Sequence, residues 1–237
     1  MGISNITLGL CDDREEIHEN VNTFIVSFSK GRGIKVEVVH FYSARQLLES
    51  KAEMEAIFLD IDMPQMDGIE AGRILRKRGI KSKIIMLTGC PERFREAFEI
   101  EAYRFLVKPL DKTEFEKAID DVIYSMVAST EVLVHNNGTQ YKVAQRDILY
   151  VEANESSTLI FTSKSEFRSE KSLSEWETIL DERLFFRCHK SFVVNLGKIE
   201  DIQDNIIKMC NGDKVAVSRR LKKPLQYAYM TYDTKWR

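Results

Sequence analysis

Five side chains carry the chemistry that this 237-residue sequence offers most plainly: Asp12, Asp13, Asp60, Thr88 and Lys108. Each sits at the end of a short apolar run or directly after one. Three carboxylates brought to one place repel each other, and a hard divalent cation taking oxygen ligands, above all Mg²⁺, is the natural compensation. A carboxylate beside such an ion, with a Lys ammonium and a Thr hydroxyl nearby, can attack a phosphoryl group whose equatorial oxygens the ion and Lys108 then neutralise. The product is an aspartyl phosphate. Taken singly the residues say less, since an acidic pair often just starts a helix, Thr88 could cap one, and Lys108 could be a surface charge before a turn at Pro109. Their joint placement makes the argument.

That placement needs elements that bring distant positions to one rim. Ile6 to Cys11, Val36 to Phe41, Ala56 to Leu59, Lys83 to Leu87 and Tyr103 to Val107 read as five strands, and the stretches between them carry helical spacing such as Ile69, Ile74 and Leu75. The expectation is an α/β domain, a five-stranded doubly wound parallel sheet whose ligand site lies at the carboxyl ends of the strands. A last helix near Lys112 to Val127 puts Phe115, Ala118, Ile119, Val122, Ile123 and Met126 on one stripe. Residues 1–127 are therefore read as the first domain, 128–131 as a linker and 132–237 as the second domain.

From Val132 the apolar period becomes two. Val132 to His135 and Gln140 to Val143 flank a hairpin turn at Asn136-Asn137-Gly138. Further strands are expected at Ile148 to Glu152, Ser157 to Thr162, Phe192 to Asn195, Asn205 to Met209 and Lys214 to Val217, with a turn at Asn211-Gly212. One helix is expected over Ser172 to Leu180, capped by Ser172 or Ser174. The second domain is mainly β.

Composition narrows the classes. With 43% hydrophobic and 30% charged residues, 4 Pro and 11 Gly, there is little room for long disorder. No run approaches a membrane span, Met1 to Ile6 lacks a signal or a myristoylation motif, and the protein is expected in the cytosol. Cys11, Cys90, Cys188 and Cys210 are scattered and indicate neither a zinc site nor a disulfide framework. The formal net charge of −2 hides an asymmetry: residues 1–131 hold 18 Lys+Arg against 23 Asp+Glu, and residues 132–237 hold 17 against 14. An acidic module is joined to a mildly basic one.

The first half resembles the receiver domains of two-component response regulators over about residues 5–127. The motifs are Cys11-Asp12-Asp13, Leu59-Asp60-Ile61-Asp62-Met63-Pro64-Gln65-Met66-Asp67-Gly68, Leu87-Thr88-Gly89 and Lys108-Pro109. The resemblance implies that Asp60 is the phosphoacceptor, that Asp12, Asp13 and Asp60 hold Mg²⁺ with the backbone carbonyl of Asp62, and that Thr88 and Lys108 grip the phosphoryl oxygens. It also implies a switch side chain at Phe105, a cis Lys108-Pro109 peptide, a partner histidine kinase, and homodimer formation on phosphorylation. A rival reading takes Asp60-Ile61-Asp62 as the nucleophile motif of haloacid dehalogenase-type phosphatases. Their nucleophile lies on the first strand with the acidic pair last, whereas here Asp12-Asp13 come first, and Pro64 replaces their usual Thr or Val.

In the second half basic residues gather at Arg183, Arg187 and Lys190, at Arg219, Arg220, Lys222 and Lys223, and in a sparse tail of Lys235 and Arg237. Such clusters are often only solvated faces. The run Phe185-Phe186-Arg187-Cys188-His189-Lys190-Ser191-Phe192-Val193-Val194-Asn195, with Ile148 to Ala153 and Val217 to Arg220, resembles the LytTR output domain, especially that of accessory-gene-regulator-type regulators. The resemblance covers about residues 132–228. It implies an elongated β fold that enters successive major grooves of promoter DNA by loops, at paired direct repeats. The implied contact loops are Asn154 to Thr158, including Ser156; His189-Lys190, beside Arg187; and Arg219-Arg220. Some relatives carry His where this chain has Thr158 and Asn where it has Lys190, so base preference does not transfer. Lys190 and Arg220 suit guanine O6 and N7, and Arg219 or Lys223 suits phosphate. Asn195 and Phe192 are read as structural, and Cys188 as an inert small residue rather than a reactive thiol.

Overall fold

The computed structural model describes residues 5–89, 93, 100–136 and 138–236, with residues 235 and 236 described in backbone only. Met1 to Ser4, Cys90, Asn137, Arg237 and the Lys235 side chain lie outside what it describes. The chain divides into two compact units between Val122 and Ile123. The first is a five-stranded parallel sheet in the order β2-β1-β3-β4-β5, with β1 Asn5–Cys11, β2 Lys35–Phe41, β3 Ala56–Asp60, β4 Lys83–Thr88 and β5 Arg104–Val107. Strand β3 is buried along its whole length and β4 almost so. Covering both faces removes the alternation of an exposed strand and leaves continuous apolar runs.

Helices Glu15–Arg32, Ala44–Glu49 and Gly68–Lys77 follow β1, β2 and β3. Most of the segment between β4 and β5, where the sequence calls for another helix, falls outside the described residues. The helix after β5 runs Lys112–Ser129, two residues beyond its expected end, and β6 begins at Glu131. Its expected stripe is buried except for Met126, which is half-buried; Val127 and Ala128 are buried in its place.

The second unit contains a seven-stranded sheet, β11-β12-β8-β9-β10-β6-β7, and a three-stranded sheet, β13-β14-β15, all antiparallel. Here β6 is Glu131–Asn136, β7 Thr139–Ala144, β8 Ile148–Asn154, β9 Ser157–Thr162, β10 Glu166–Ser169, β11 Phe185–His189, β12 Phe192–Asn195, β13 Ile199–Gln203, β14 Ile206–Met209 and β15 Lys214–Ala216. Asn136 pairs with Thr139, and Gly138 takes φ +79°, which an L side chain rarely adopts. The expected helix is Leu173–Ile179. Ser172 caps it in a reciprocal capping box with Glu175, and the alternative cap, Ser174, lies inside it.

Three strands escape the sequence reading: β10, β11 and β13. So does a helix over Lys222–Trp236. That helix has a readable signal, since Leu221, Leu225, Ala228 and Tyr232 recur at helical spacing, and Leu225 and Tyr232 are buried. No described helix is long and apolar enough to cross a membrane.

Candidate functional site

The parallel register carries the ends of β1, β3, β4 and β5 to one rim of the first unit. One oxygen each of Asp12, Asp13 and Asp60 can be chosen so that all lie within 4.8 Å of one another. Asp12 and Asp60 are buried and Asp13 is exposed. Lys108 enters from the end of β5, its Nζ 2.5 Å from Asp12 Oδ2 and 2.7 Å from Asp60 Oδ2. Thr88 is fully buried, and its carbonyl accepts the Lys108 N–H at 2.8 Å, which ties the two strand ends together. Lys108-Pro109 is cis. Phe105 is half-buried against the core cluster around Met86.

Burial pushes the Asp60 carboxyl above the ordinary carboxylate range; Lys108 pulls it the other way, and the Asp12 charge adds to the rise. Cys11, beneath the site, is pushed up to about 12 by burial and then by its acidic neighbours, so it stays a thiol. The donor set fits a hard cation. The carboxylates present oxygen only, and buried Asp12 Oδ2 meets Lys108 as an ion pair without a directed hydrogen bond, leaving lone-pair capacity for a metal.

Three residues that the sequence reading gave no role shape this pocket. Gly68 is one: a Cβ there would lie 2.0 Å from the Asp60 carbonyl oxygen and 3.1 Å from Ile61 Cα, so only glycine lets the loop pass. Arg93 is another, with Nη1 donating to Asp62 Oδ1 at 3.1 Å and Nη2 to Asp67 Oδ2 at 2.7 Å. Burial of Asp67 opposes its ionisation, but Arg93 and the backbone N–H of Glu70 outweigh that and hold the carboxyl below its usual range. The third is His18, buried on the first helix. Its Nε2 lies 3.0 Å from the Asp12 carbonyl, which can only accept, so Nε2 carries the proton; its Nδ1 faces His40 Nδ1 at 2.7 Å.

In the second unit the three expected contact loops lie side by side. The Ala153 N–H donates to Ser191 O at 2.8 Å, joining the β8–β9 turn to the β11–β12 turn, and the Ser218 N–H donates to Cys188 O at 2.9 Å, bringing Arg219 and Arg220 beside His189. Asn154, Ser156, Lys190, Arg219, Arg220 and Lys223 are exposed, and His189 is half-exposed with Nδ1 accepting from the Ser191 N–H.

Two expected contacts sit differently. Thr158 is buried, with its hydroxyl donating to Lys171 O at 2.9 Å, so it anchors the loop. Arg187 donates to Glu177 Oε2 at 2.8 Å, to Ser174 Oγ and to Lys190 O, so it braces the turn. Asn195 is buried, and its Nδ2 donates to Ile148 O at 2.9 Å. Cys188 is fully buried, and burial pushes its thiol up to about 12.

Comparison with known proteins follows the same division. The response regulator receiver domain matches residues 9–120, and the LytTr DNA-binding domain matches residues 138–230. The transcriptional regulatory protein YpdB of Escherichia coli (strain K12) is 30% identical over 164 residues, 63% of this chain and 67% of that protein. The transcriptional regulatory protein LytR of Staphylococcus aureus (strain MW2) is 24% identical, over 72% of this chain and 78% of its own. A solved LytTr DNA-binding domain from Bacillus cereus is 26% identical, with a TM-score of 0.40, 42% of this chain covered and 95% of that one. Both modules, in this order, place the chain in the family of two-component response regulators with a receiver domain and a LytTr DNA-binding domain, which act in transcriptional regulation.

Proposed function

We propose that Asp60 accepts a phosphoryl group from a histidine kinase, and that this favours homodimer formation and binding to paired direct repeats in promoter DNA. The observation that carries the reading is Lys108 Nζ lying within 2.7 Å of both Asp12 and Asp60 among three converging carboxylates. In this reading residues 1–127 act as receiver, 128–131 as linker and 132–237 as DNA-binding domain. Asp12, Asp13 and Asp60, with the Asp62 carbonyl, would hold Mg²⁺, which when bound supplies positive charge to the phosphoryl oxygens.

The protein's own groups do the rest. An Asp60 carboxylate oxygen attacks phosphorus in line, the bond to the donor nitrogen breaks, and the electron pair leaves with the imidazole. Lys108 follows the charge from the carboxylate onto the transferred oxygens. The Thr88 hydroxyl donates to one of them, and drawing it inward makes space into which Phe105 turns, altering the face of the unit around β5. Phosphate binds that arrangement better than the other, and the difference in affinity shifts the population.

On DNA, Lys190 and Arg220 read base edges in the major groove, Arg219 and Lys223 hold phosphate, and Asn154, Ser156 and His189 complete the surface. Arg187 and Thr158 support these loops from behind.

The test is acetyl phosphate with Mg²⁺, followed by hydroxylamine, which cleaves an acyl phosphate and spares a phosphoserine. A single labile phosphate, absent from Asp60→Ala, is expected; an undiminished yield in Asp60→Ala removes Asp60 from the role. Steady turnover of varied phosphate esters would favour the phosphatase alternative.

A further inference from the structure

The edge between β10 and β6 holds a feature that the contact loops do not use. The two strands share one registered pair, Arg168 with His135. Beyond Ser169 the chain leaves β6, and a cleft of about 410 Å³ opens, lined among others by Leu133, His135, Arg168, Glu170 and Lys171. Alternation sets its character: Val132, Val134, Phe167 and Ser169 point into the core, and Leu133, His135 and Arg168 face outward. Arg168 and Lys171 are exposed and make no ion pair with a described residue, whereas Arg183 and Arg187 are paired with Asp181 and Glu177. Two cations thus face one lining carboxylate, Glu170, while Glu175, outside the cleft, also feels the Lys171 charge.

The cleft begins where a DNA-contact loop ends. Thr158 is in register with Ser169, and its hydroxyl donates to Lys171 O at 2.9 Å, so Lys171 adjoins the Asn154–Thr158 loop and Arg168 and His135 continue outward from it. A polyanion held by that loop has these cations next along its path.

We propose that this cleft binds the sugar-phosphate backbone of DNA, with Lys171 and Arg168 each neutralising a phosphate and His135 beside them. The inference rests on the second domain binding DNA. It assigns affinity and footprint to the site, and no base preference, because phosphate contacts carry none.

The test uses the full-length protein on a selected site and on random duplex, at several salt concentrations. Arg168→Ala/Lys171→Ala should weaken both complexes by the same factor, leave their ratio unchanged, and flatten the log-log salt dependence by about two, close to one per phosphate lost. Lys164→Ala is the control. It removes the same kind of charge from the β9–β10 turn, at the opposite end of those strands, and should behave as wild type. Glu170→Gln removes no cation and should tighten both complexes, which keeps the test available if the double variant loses its fold. Wild-type slope and affinity in the double variant, or an equal loss in Lys164→Ala, overturns the proposal. Failure of the wild-type protein to bind either duplex would instead remove the DNA-binding reading itself.

Discussion

Replacing Gly68 by alanine puts one methyl group in place of a hydrogen, yet it should disable Asp60 in its proposed role of phosphoacceptor. The new Cβ would stand 2.0 Å from the Asp60 carbonyl oxygen and 2.9 Å from its carbonyl carbon. Carbon and oxygen rarely approach closer than about 3.3 Å even in weak C–H···O contacts, so one backbone must move by more than about 1 Å. Neither is free to do so. The Gly68 N–H donates to Ile61 O and the Ile61 N–H to Leu87 O, both at 2.9 Å, while Asp67 caps the following helix through the Glu70 N–H.

Overpacking of this kind costs about 1–3 kcal/mol. A displacement of about 1 Å in a reacting group can cost about a hundredfold in rate. Gly68→Ala should therefore lower the urea midpoint of the full chain and slow acetyl phosphate labelling of Asp60 far more than the loss of stability accounts for. The urea transition and the hydroxylamine-labile yield over time measure the two effects. A variant with wild-type midpoint and wild-type labelling rate would refute the claim that this contact fixes Asp60.

Arg93→Ala should raise the titration of the Asp67 carboxyl toward its ordinary value, read by carbon NMR of the side chain. In the native protein that carboxyl is depressed, so its contribution to stability is present above the unfolded pKa and fades as pH falls through the lower folded value; the variant should lose it sooner, and an unmoved Asp67 titration would show Arg93 is not the cause. Because these ion pairs are partly exposed, the change in stability should not exceed about 1 kcal/mol. Beryllium fluoride with Mg²⁺ should raise the sedimentation mass at micromolar protein without DNA, and identical mass with and without it would count against a phosphorylation-driven dimer. Arg220→Ala should narrow the gap between a selected site and random DNA by about 1–3 kcal/mol, whereas Lys223→Ala should weaken both alike and flatten the salt dependence by up to about one; an unchanged preference in Arg220→Ala would move base reading to Lys190 or the Asn154 loop.

What was legible beforehand is what is written locally in the chain. Apolar runs ending in Asp12, Asp60, Thr88 and Lys108 name the strands and the residues that meet at their ends, because a parallel sheet covered on both faces forces its strands to be apolar and the polar groups after them onto one rim. The change from helical to two-residue periodicity near Val132 likewise announces the antiparallel strands, whereas the division into compact units falls earlier, at Ile123 inside the preceding helix, where the sequence shows no break. Strand β10 was not legible, since Glu-Phe-Arg-Ser carries little strand propensity and becomes a strand by pairing with β9. Nor were the pairs that span the sequence: Arg93 with Asp62 and Asp67, Gly68 against the Asp60 backbone, Arg187 with Glu177, and Lys171 with Thr158. Whether an arginine reads a ligand or braces a turn depends on register and on the direction its side chain leaves the backbone. Those quantities exist only once the strands have paired, so composition and spacing nominate the residues while the tertiary structure decides which of them face outward.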